Sequence, residues 1–411
     1  MSEFILARQN ERNIPREDRI FGISNRAKAA IAEKGRDKVV NGTIGALLDD
    51  NGELVVLESV DEVFRSLSPR DYAEYAPIGG TVPFRKAVQK AAFGEHVPDG
   101  FIEAVATPGG TGSLRNVVSN YSEPGDSVLT SDWHWAPYGT IAGEIGRKIA
   151  VFEMFTADRK FNVESFRAKC SELLAAQNSL VVILNTPAHN PTGYSLTLED
   201  WDAVIAALRD EAACGKAIAL LVDAAYIDFA GDEEEYRRFI PKLSGLPENV
   251  ISIVAYSLSK TFTLYGARCG AMICIAGTAD IAAEFKRVCE YSSRGSWSNT
   301  ARIAQVILSR IYSDPELLEK VNAERRKYRD MLAARGRAFS EAAAGCGLEI
   351  VPYDAGFFVS VPCDDPDAAS RRLEEQDVFL VPLAKGIRVS VASIPEEACR
   401  KLPPMIKAAI G

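Results

Sequence analysis

Histidine is scarce in this sequence: His96, His134 and His189 are the only three in 411 residues. Eight cysteines are scattered at positions 170, 214, 269, 274, 289, 346, 363 and 399, and no two of them form a CxxC pair. A structural zinc site takes about four His or Cys ligands at close spacing, so a metal centre is not expected. A disulfide framework needs a far denser pattern, and small buried thiols are the simpler reading. Positive charge is also in deficit: 47 Lys and Arg face 56 Asp and Glu, a formal net charge of −9. A chain of that sign repels nucleic acid and anionic membranes, so neither is an expected partner. No apolar run approaches the length of a bilayer-spanning helix. The opening stretch MSEFILARQNERNIPRED follows a short apolar patch with charges, unlike a secretory leader. The expected location is therefore cytoplasmic. No GxGxxG follows an early strand and no GKS or GKT follows a glycine turn, which argues against a dinucleotide fold and a P-loop. Internal repeats and low-complexity segments are missing too.

What is present suits an ordinary globular protein, with 47% hydrophobic and 25% charged residues. The length allows two compact domains. Strand-like apolar runs stand at 127–131 (SVLTS), 148–154 (KIAVFEM), 179–185 (SLVVILN), 217–223 (AIALLVD), 250–257 (VISIVAYS) and 270–276 (GAMICIA). Amphipathic segments lie between them, among them TLEDWDAVIAALRDEAACG with a Thr197 cap. Strand, helix, strand in succession predicts a mostly parallel sheet wrapped by helices in an α/β large domain, over 46–309. A long helix from Pro315 to Ala344 then leads into a smaller α+β unit with strands in GFFVSVP and GIRVSVA. Residues 1–45 are expected to pack on that unit, so the small domain comprises 1–45 and 310–411. The first twenty residues show no period and read as an arm suited to a partner chain.

In a doubly wound sheet, ligands gather at the carboxyl ends of the strands. Asp223 and then Tyr226 follow LLV; Asn190 stands in an Asn-Pro turn after VVILN; Ser257, Ser259 and Lys260 follow VISIVAY. Upstream, GGTGS (Gly109 to Ser113, including Gly110 and Thr111) precedes a helix expected to begin near Leu114. A glycine-rich turn at a helix N-terminus offers backbone N–H groups to a phosphate. Each feature alone has a bland reading as a tight turn, a cap or a solvated lysine. Together they describe one ligand: a phosphate on GGTG and Arg268, a cationic ring nitrogen opposite Asp223, a phenolic oxygen near Asn190 and Tyr226, and an aldehyde at Lys260. Pyridoxal 5′-phosphate carries all four functions.

SLSKTFTLYGARCG resembles the lysine signature of class I pyridoxal-phosphate aminotransferases, and the chain from about Val40 to Val391 is similar to their aspartate and aromatic branch. The resemblance implies the fold type I architecture, a seven-stranded sheet in the large domain, and Lys260 as the Schiff-base lysine. It places Gly45 (in VNGTIGALLDDNGEL) at a substrate contact and Trp135 (in SDWHWAPYG) on the pyridine ring. Ser257 and Arg268 join the phosphate contacts. Tyr75 (in EYAPIGGTVPFRKAV) would reach the phosphate of the neighbouring subunit's cofactor, which implies a homodimer with shared sites. Arg388 (in KGIRVSVA) would bind the substrate α-carboxylate, and Arg294 (in SSRGSWSN) a side-chain carboxylate in the partner's site. The implied activity is transfer of the amino group of an acidic or aromatic L-amino acid to 2-oxoglutarate, the substrates being an amino acid and a 2-oxo acid. A pyridoxal-phosphate lyase or decarboxylase shares every cofactor residue and stands as the alternative. Trp297, Phe357 and Phe358 are candidates to line a pocket for aromatic side chains. The sequence departs from the family pattern at Thr263, Cys269, Ala188 and Tyr138, the last replacing a common histidine, and none of these is expected to touch a chemical role.

Overall fold

The computed structural model describes residues 6–411 apart from Arg8, Glu11, Arg16 and Glu233. The strands in chain order are β1 (Val40–Asn41), β2 (Phe101–Thr107), β3 (Ser127–Ser131), β4 (Lys148–Phe152), β5 (Ser179–Asn185), β6 (Ala217–Asp223), β7 (Val250–Ser257), β8 (Gly270–Ala276), β9 (Phe358–Pro362), β10 (Val378–Phe379), β11 (Val381–Pro382) and β12 (Gly386–Ser390). Seven of them form one sheet in the order β2-β8-β7-β6-β5-β3-β4. Strands β4, β3, β5, β6 and β7 run parallel, while β8 is antiparallel to both β7 and β2. Every residue of β7 and β8 is buried, as befits central strands covered on both faces by helices. This is the α/β architecture of fold type I.

All six apolar runs are strands, and KIAVFEM ends its pairing at Phe152. The seventh strand, β2 (FIEAVAT), lies at the sheet edge and carries Glu103, which meets Arg85 at 3.2 Å and Lys286 at 3.9 Å. That charge interrupts the apolar run by which buried strands are recognised. Thr197 caps the helix Leu198–Ala212 in a reciprocal box with Asp200.

Helix Arg302–Ser313 runs across position 309 and is followed by the 32-residue helix Pro315–Cys346. Beyond it, β11-β12-β9 make an antiparallel sheet, and β1 pairs in parallel with β10. Helix Arg19–Lys34 is tied to the C-terminal segment by Arg26–Glu374 (2.8 Å) and Lys34–Asp377 (2.7 Å). The arm read into residues 1–20 lies partly outside the described residues. Among the described residues no helix is long and apolar enough to cross a membrane.

Candidate active site

The register aligns Asn185 with Asp223 and Ala255, and Ser257 with Gly270 and Thr107. The carboxyl ends of β2, β5, β6 and β7 therefore share one edge of the sheet with the start of β8. Over that edge lies a cavity of about 610 Å³. It is lined by Lys260, Asp223, Tyr226, Asn190, Arg388 and Arg268, and also by Gly45, Gly110, Thr111, Trp135 and Ser257. Eleven residues from seven segments of the chain thus reach one space.

Lys260 stands on a single helical turn, Leu258–Thr261, that caps the end of β7. Its ammonium group donates to the carbonyl oxygen of Gly45 and lies 4.6 Å from the Tyr265 ring centre and 5.5 Å from that of Phe357. Burial, then the positive charges of Arg388 and Arg268, push its pKa down to about 7. A lysine so placed exchanges its proton near neutral pH, which an ordinary surface lysine cannot do. Gly45 permits this closeness: a Cβ there would stand 2.9 Å from Phe358 Cζ and 3.9 Å from Lys260 Nζ.

Asp223, buried at the end of β6, accepts hydrogen bonds from the Tyr138 hydroxyl (2.7 Å) and the Ala225 amide (3.3 Å). Burial raises its carboxyl pKa, and these two donors pull it part of the way back. Tyr138 thus corrects the sequence reading, which gave it no chemical role; its hydroxyl holds the acid expected to face the cofactor's ring nitrogen. Neither residue marks this pairing locally, because they lie on separate elements joined only through tertiary structure.

Arg388, on β12, is buried and has no carboxylate partner among the described residues. It donates to the carbonyl oxygen of Thr43 (2.9 Å) and to Asn190 Oδ1 (3.3 Å), and lies over the Phe358 ring at 4.3 Å. Its Nε has no hydrogen-bond acceptor, and burial lowers its pKa to about 10. Among the described residues, then, no acid pairs with this guanidinium, which sets aside the bland reading of a buried arginine as half of a structural ion pair. Asn190 Nδ2 donates to the Tyr226 hydroxyl at 3.3 Å, so Arg388, Asn190 and Tyr226 form one chain of polar contacts.

Helix Gly109–Tyr121 begins five residues earlier than the sequence suggests: GGTG is its first turn. The Gly110 and Thr111 amides are then among the N–H groups that a helix start leaves without intrahelical partners. Gly109 has φ +70°, and a Cβ on it would come within 2.6 Å of Arg268 Nη2. Arg268 itself donates to Ser259 Oγ (3.1 Å) and to the Tyr265 carbonyl oxygen (3.0 Å). Trp135 borders the cavity and meets Tyr138 edge-on, with ring centres 5.6 Å apart.

The mouth of the cavity holds residues the sequence reading missed. Asp18, Ile20, Phe21 and Ser24 line it from the start of helix Arg19–Lys34, together with Leu54. The cap is the available signal: Asp18 Oδ1 accepts from the Ile20 and Phe21 amides at 3.0 and 2.9 Å. Tyr75 and Arg294 do not line this cavity. Tyr75 is 86% exposed and borders a separate hollow with Trp297 and Ser298, and Arg294 donates to Ser298 Oγ at 2.6 Å. Trp297 lines that second hollow and not the Lys260 cavity of its own chain, whereas Phe358 lines the Lys260 cavity and Phe357 packs on Tyr226 at 5.2 Å.

The profile of the family described as aminotransferase class I and II matches residues 37–403. The chain belongs to that family. A crystal structure of an aminotransferase from Anaerococcus prevotii superposes with a TM-score of 0.96 at 37% identity, covering 99% of this chain and 100% of that one. The aromatic-amino-acid aminotransferase of Pseudomonas aeruginosa is 28% identical over 82% of this chain and 84% of its own length. The cytoplasmic aspartate aminotransferase of Dictyostelium discoideum is 28% identical over 73% of this chain and 67% of its own. The protein is a pyridoxal-phosphate-dependent transaminase of the aspartate and aromatic branch, acting on an amino acid and a 2-oxo acid. The site of this aminotransferase fits the cofactor on its own geometry. A desolvated lysine, a buried acid, an arginine-flanked helix start and an arginine with no acid partner among the described residues surround one cavity of suitable size.

Proposed function

We propose that the enzyme moves the amino group of an acidic or aromatic L-amino acid to 2-oxoglutarate, with Lys260 as the residue that binds the cofactor and carries the proton. The observation behind this reading is the pairing of Lys260, depressed to about 7, with a buried Arg388 free of any acid partner among the described residues. The bound cofactor supplies an electron sink for the negative charge that develops at the substrate Cα. Arg388 offers a planar fork for the α-carboxylate, which turns the Cα–H bond toward Lys260. Lys260 Nζ then takes that proton and returns it to a neighbouring atom, a transfer efficient because its pKa lies near working pH. Asp223 would hold the cofactor's ring nitrogen, Tyr226 and Asn190 its ring oxygen, Trp135 its ring, and Gly110, Thr111, Ser257 and Arg268 its phosphate, all of them residues that line the cavity.

The reading extends to a homodimer. Tyr75 and Arg294 lie outside the cavity of their own chain, and Tyr75 borders a hollow with Ser298, the partner of Arg294. A second copy docking at this face would receive Tyr75 at its phosphate site and Arg294 at the distal end of its substrate pocket. We divide each chain into a large domain, 46–309, and a small one of 1–45 with 310–411. The eight unpaired thiols suit a reducing, cytoplasmic setting.

The test is a panel of aspartate, glutamate, tyrosine and phenylalanine as donors with 2-oxoglutarate, for wild type and Arg294→Ala. Glutamate should form from the 2-oxoglutarate, and Arg294→Ala should lose the acidic donors selectively. Release of ammonia or CO2 without glutamate would instead mark a lyase or decarboxylase, and unchanged aspartate activity in the variant would refute the role of Arg294.

A further inference from the structure

Beneath the cavity floor lies a cluster that the chemistry above does not use. Asp228, two residues past Tyr226, is buried with its side chain at 0% exposure. Its Oδ1 lies 2.5 Å from Arg237 Nη2 and 3.3 Å from Arg325 Nη1, and both guanidinium groups are buried as well. Its Oδ2 accepts from the Tyr256 hydroxyl at 3.0 Å and from Thr261 Oγ1 at 2.7 Å. Arg325 also lies over the ring of Phe262, 5.5 Å from its centre. Burial alone would raise the acid's pKa, but the two arginines outweigh it and hold the carboxyl at about 2, so Asp228 stays ionised at every physiological pH.

The geometry of these contacts matters more than their number. Tyr256 precedes Lys260 on β7, and Thr261 and Phe262 follow it directly. A four-residue helix has too few internal hydrogen bonds to hold its own shape, since the first turn is the costly one. The turn Leu258–Thr261 therefore depends on ties from outside. The Asp228 cluster holds it through Thr261, which does not line the cavity, while Lys260 Nζ, which does, donates to the carbonyl oxygen of Gly45.

We propose that Asp228 is a positioning residue for Lys260, its single carboxylate fixing both flanks of the turn that carries the lysine. The proposal rests on the reading of Lys260 as the cofactor lysine, but its mechanism is a statement about where Nζ sits. Loosening the turn lets Nζ reach water, which removes the desolvation that depresses it and moves it away from the substrate Cα. Displacements on the order of 1 Å at a reacting group cost about a hundredfold in rate.

Removing Asp228 outright takes a buried carboxylate away from two buried arginines and can prevent folding, so the decisive variant is Thr261→Val, with Thr261→Ser as its conservative counterpart. In the full chain freed of cofactor, the rate of reductive methylation of Lys260, read by peptide mass spectrometry against pH, gives its titration midpoint. The wild-type midpoint is expected near 7. Thr261→Val should raise it by about one unit as hydration returns, and in the holoenzyme kcat should fall on the order of tenfold to a hundredfold with KM changed less. Thr261→Ser should keep wild-type values, and Tyr256→Phe should shift the midpoint in the same direction. A folded Thr261→Val protein with the wild-type midpoint and kcat would overturn the proposal, even with a lowered melting temperature. So would a Ser variant shifted as far as Val. Borohydride reduction of the wild-type holoenzyme tests the underlying reading separately: cofactor fixed to a residue other than Lys260 would refute that reading, while the methylation midpoints would still decide the role of Asp228.

Discussion

Tyr138→Phe isolates one buried hydrogen bond behind the cavity-lining Asp223. The hydroxyl removed donates to Asp223 Oδ2 at 2.7 Å, and both groups are buried. The ring stays, so the edge contact with Trp135 is kept. A hydrogen bond to a charged group contributes about 1.5–3 kcal/mol, and at 1.36 kcal/mol per unit its loss should raise the Asp223 pKa by about 1–2 units. Burial already raises that pKa, and the variant removes one of the two donors that oppose the rise. A carboxyl that protonates more readily holds a cationic ring nitrogen less well. Cofactor Kd, measured by absorbance titration of the cofactor-free chain, should increase about tenfold to a hundredfold.

The same substitution has a signed effect on stability. In the folded state the Asp223 pKa lies above its ordinary value, so the folded form binds a proton that the unfolded chain has already released. Stability therefore falls as pH rises from the unfolded to the folded pKa, and the loss is complete above the latter. Raising the folded pKa further deepens this loss. The melting-temperature deficit of cofactor-free Tyr138→Phe against wild type should thus be larger at pH 7.5 than at pH 4. Equal deficits at the two pH values, together with an unchanged cofactor Kd, would show that Tyr138 only fills space and that Asp223 does not depend on it.

Three further outcomes follow from the same geometry. Lys260→Ala should lower kcat by about a hundred- to ten-thousandfold, the usual contribution of a positioned acid–base group, and holoenzyme reduced with borohydride should then carry no fixed cofactor. Arg388→Lys keeps the charge but loses the fork, so kcat/KM for every α-amino acid should drop on the order of tenfold or more, with the cofactor Kd near wild type. Gly45→Ala brings a methyl group within 2.9 Å of Phe358 Cζ, so the ring, which lines the cavity, must shift and the cavity narrows by a methyl group; steady-state kinetics should show KM rising several-fold, more for aromatic than for acidic donors.

The place of the site was legible in the sequence where one residue and its local motif suffice to locate it. Asp223, Ser257 and Lys260 follow apolar runs whose length and β-branching mark central strands, and such strands present their carboxyl ends to the ligand. What the sequence concealed is what holds these residues in their working state. Tyr138 meets Asp223 across 85 positions, and Thr261 meets Asp228 across 33. Neither partner has a local signature, because a hydroxyl's role depends on which acid the fold brings to it. Strand β2 was concealed for a related reason, since Glu103 serves partners outside its own segment. Ile20 and Phe21, which line the cavity, stand in the first turn of helix Arg19–Lys34, at the end of a polar stretch of twenty residues that shows no period of its own. The lysine signature can therefore name Lys260 but cannot assign its charge. That charge is set by burial and by Arg388 and Arg268, which arrive from β12 and from the turn before β8. A change at Asp228, which never touches the cavity, should on this argument alter the proton affinity of Lys260 more than many changes within the motif.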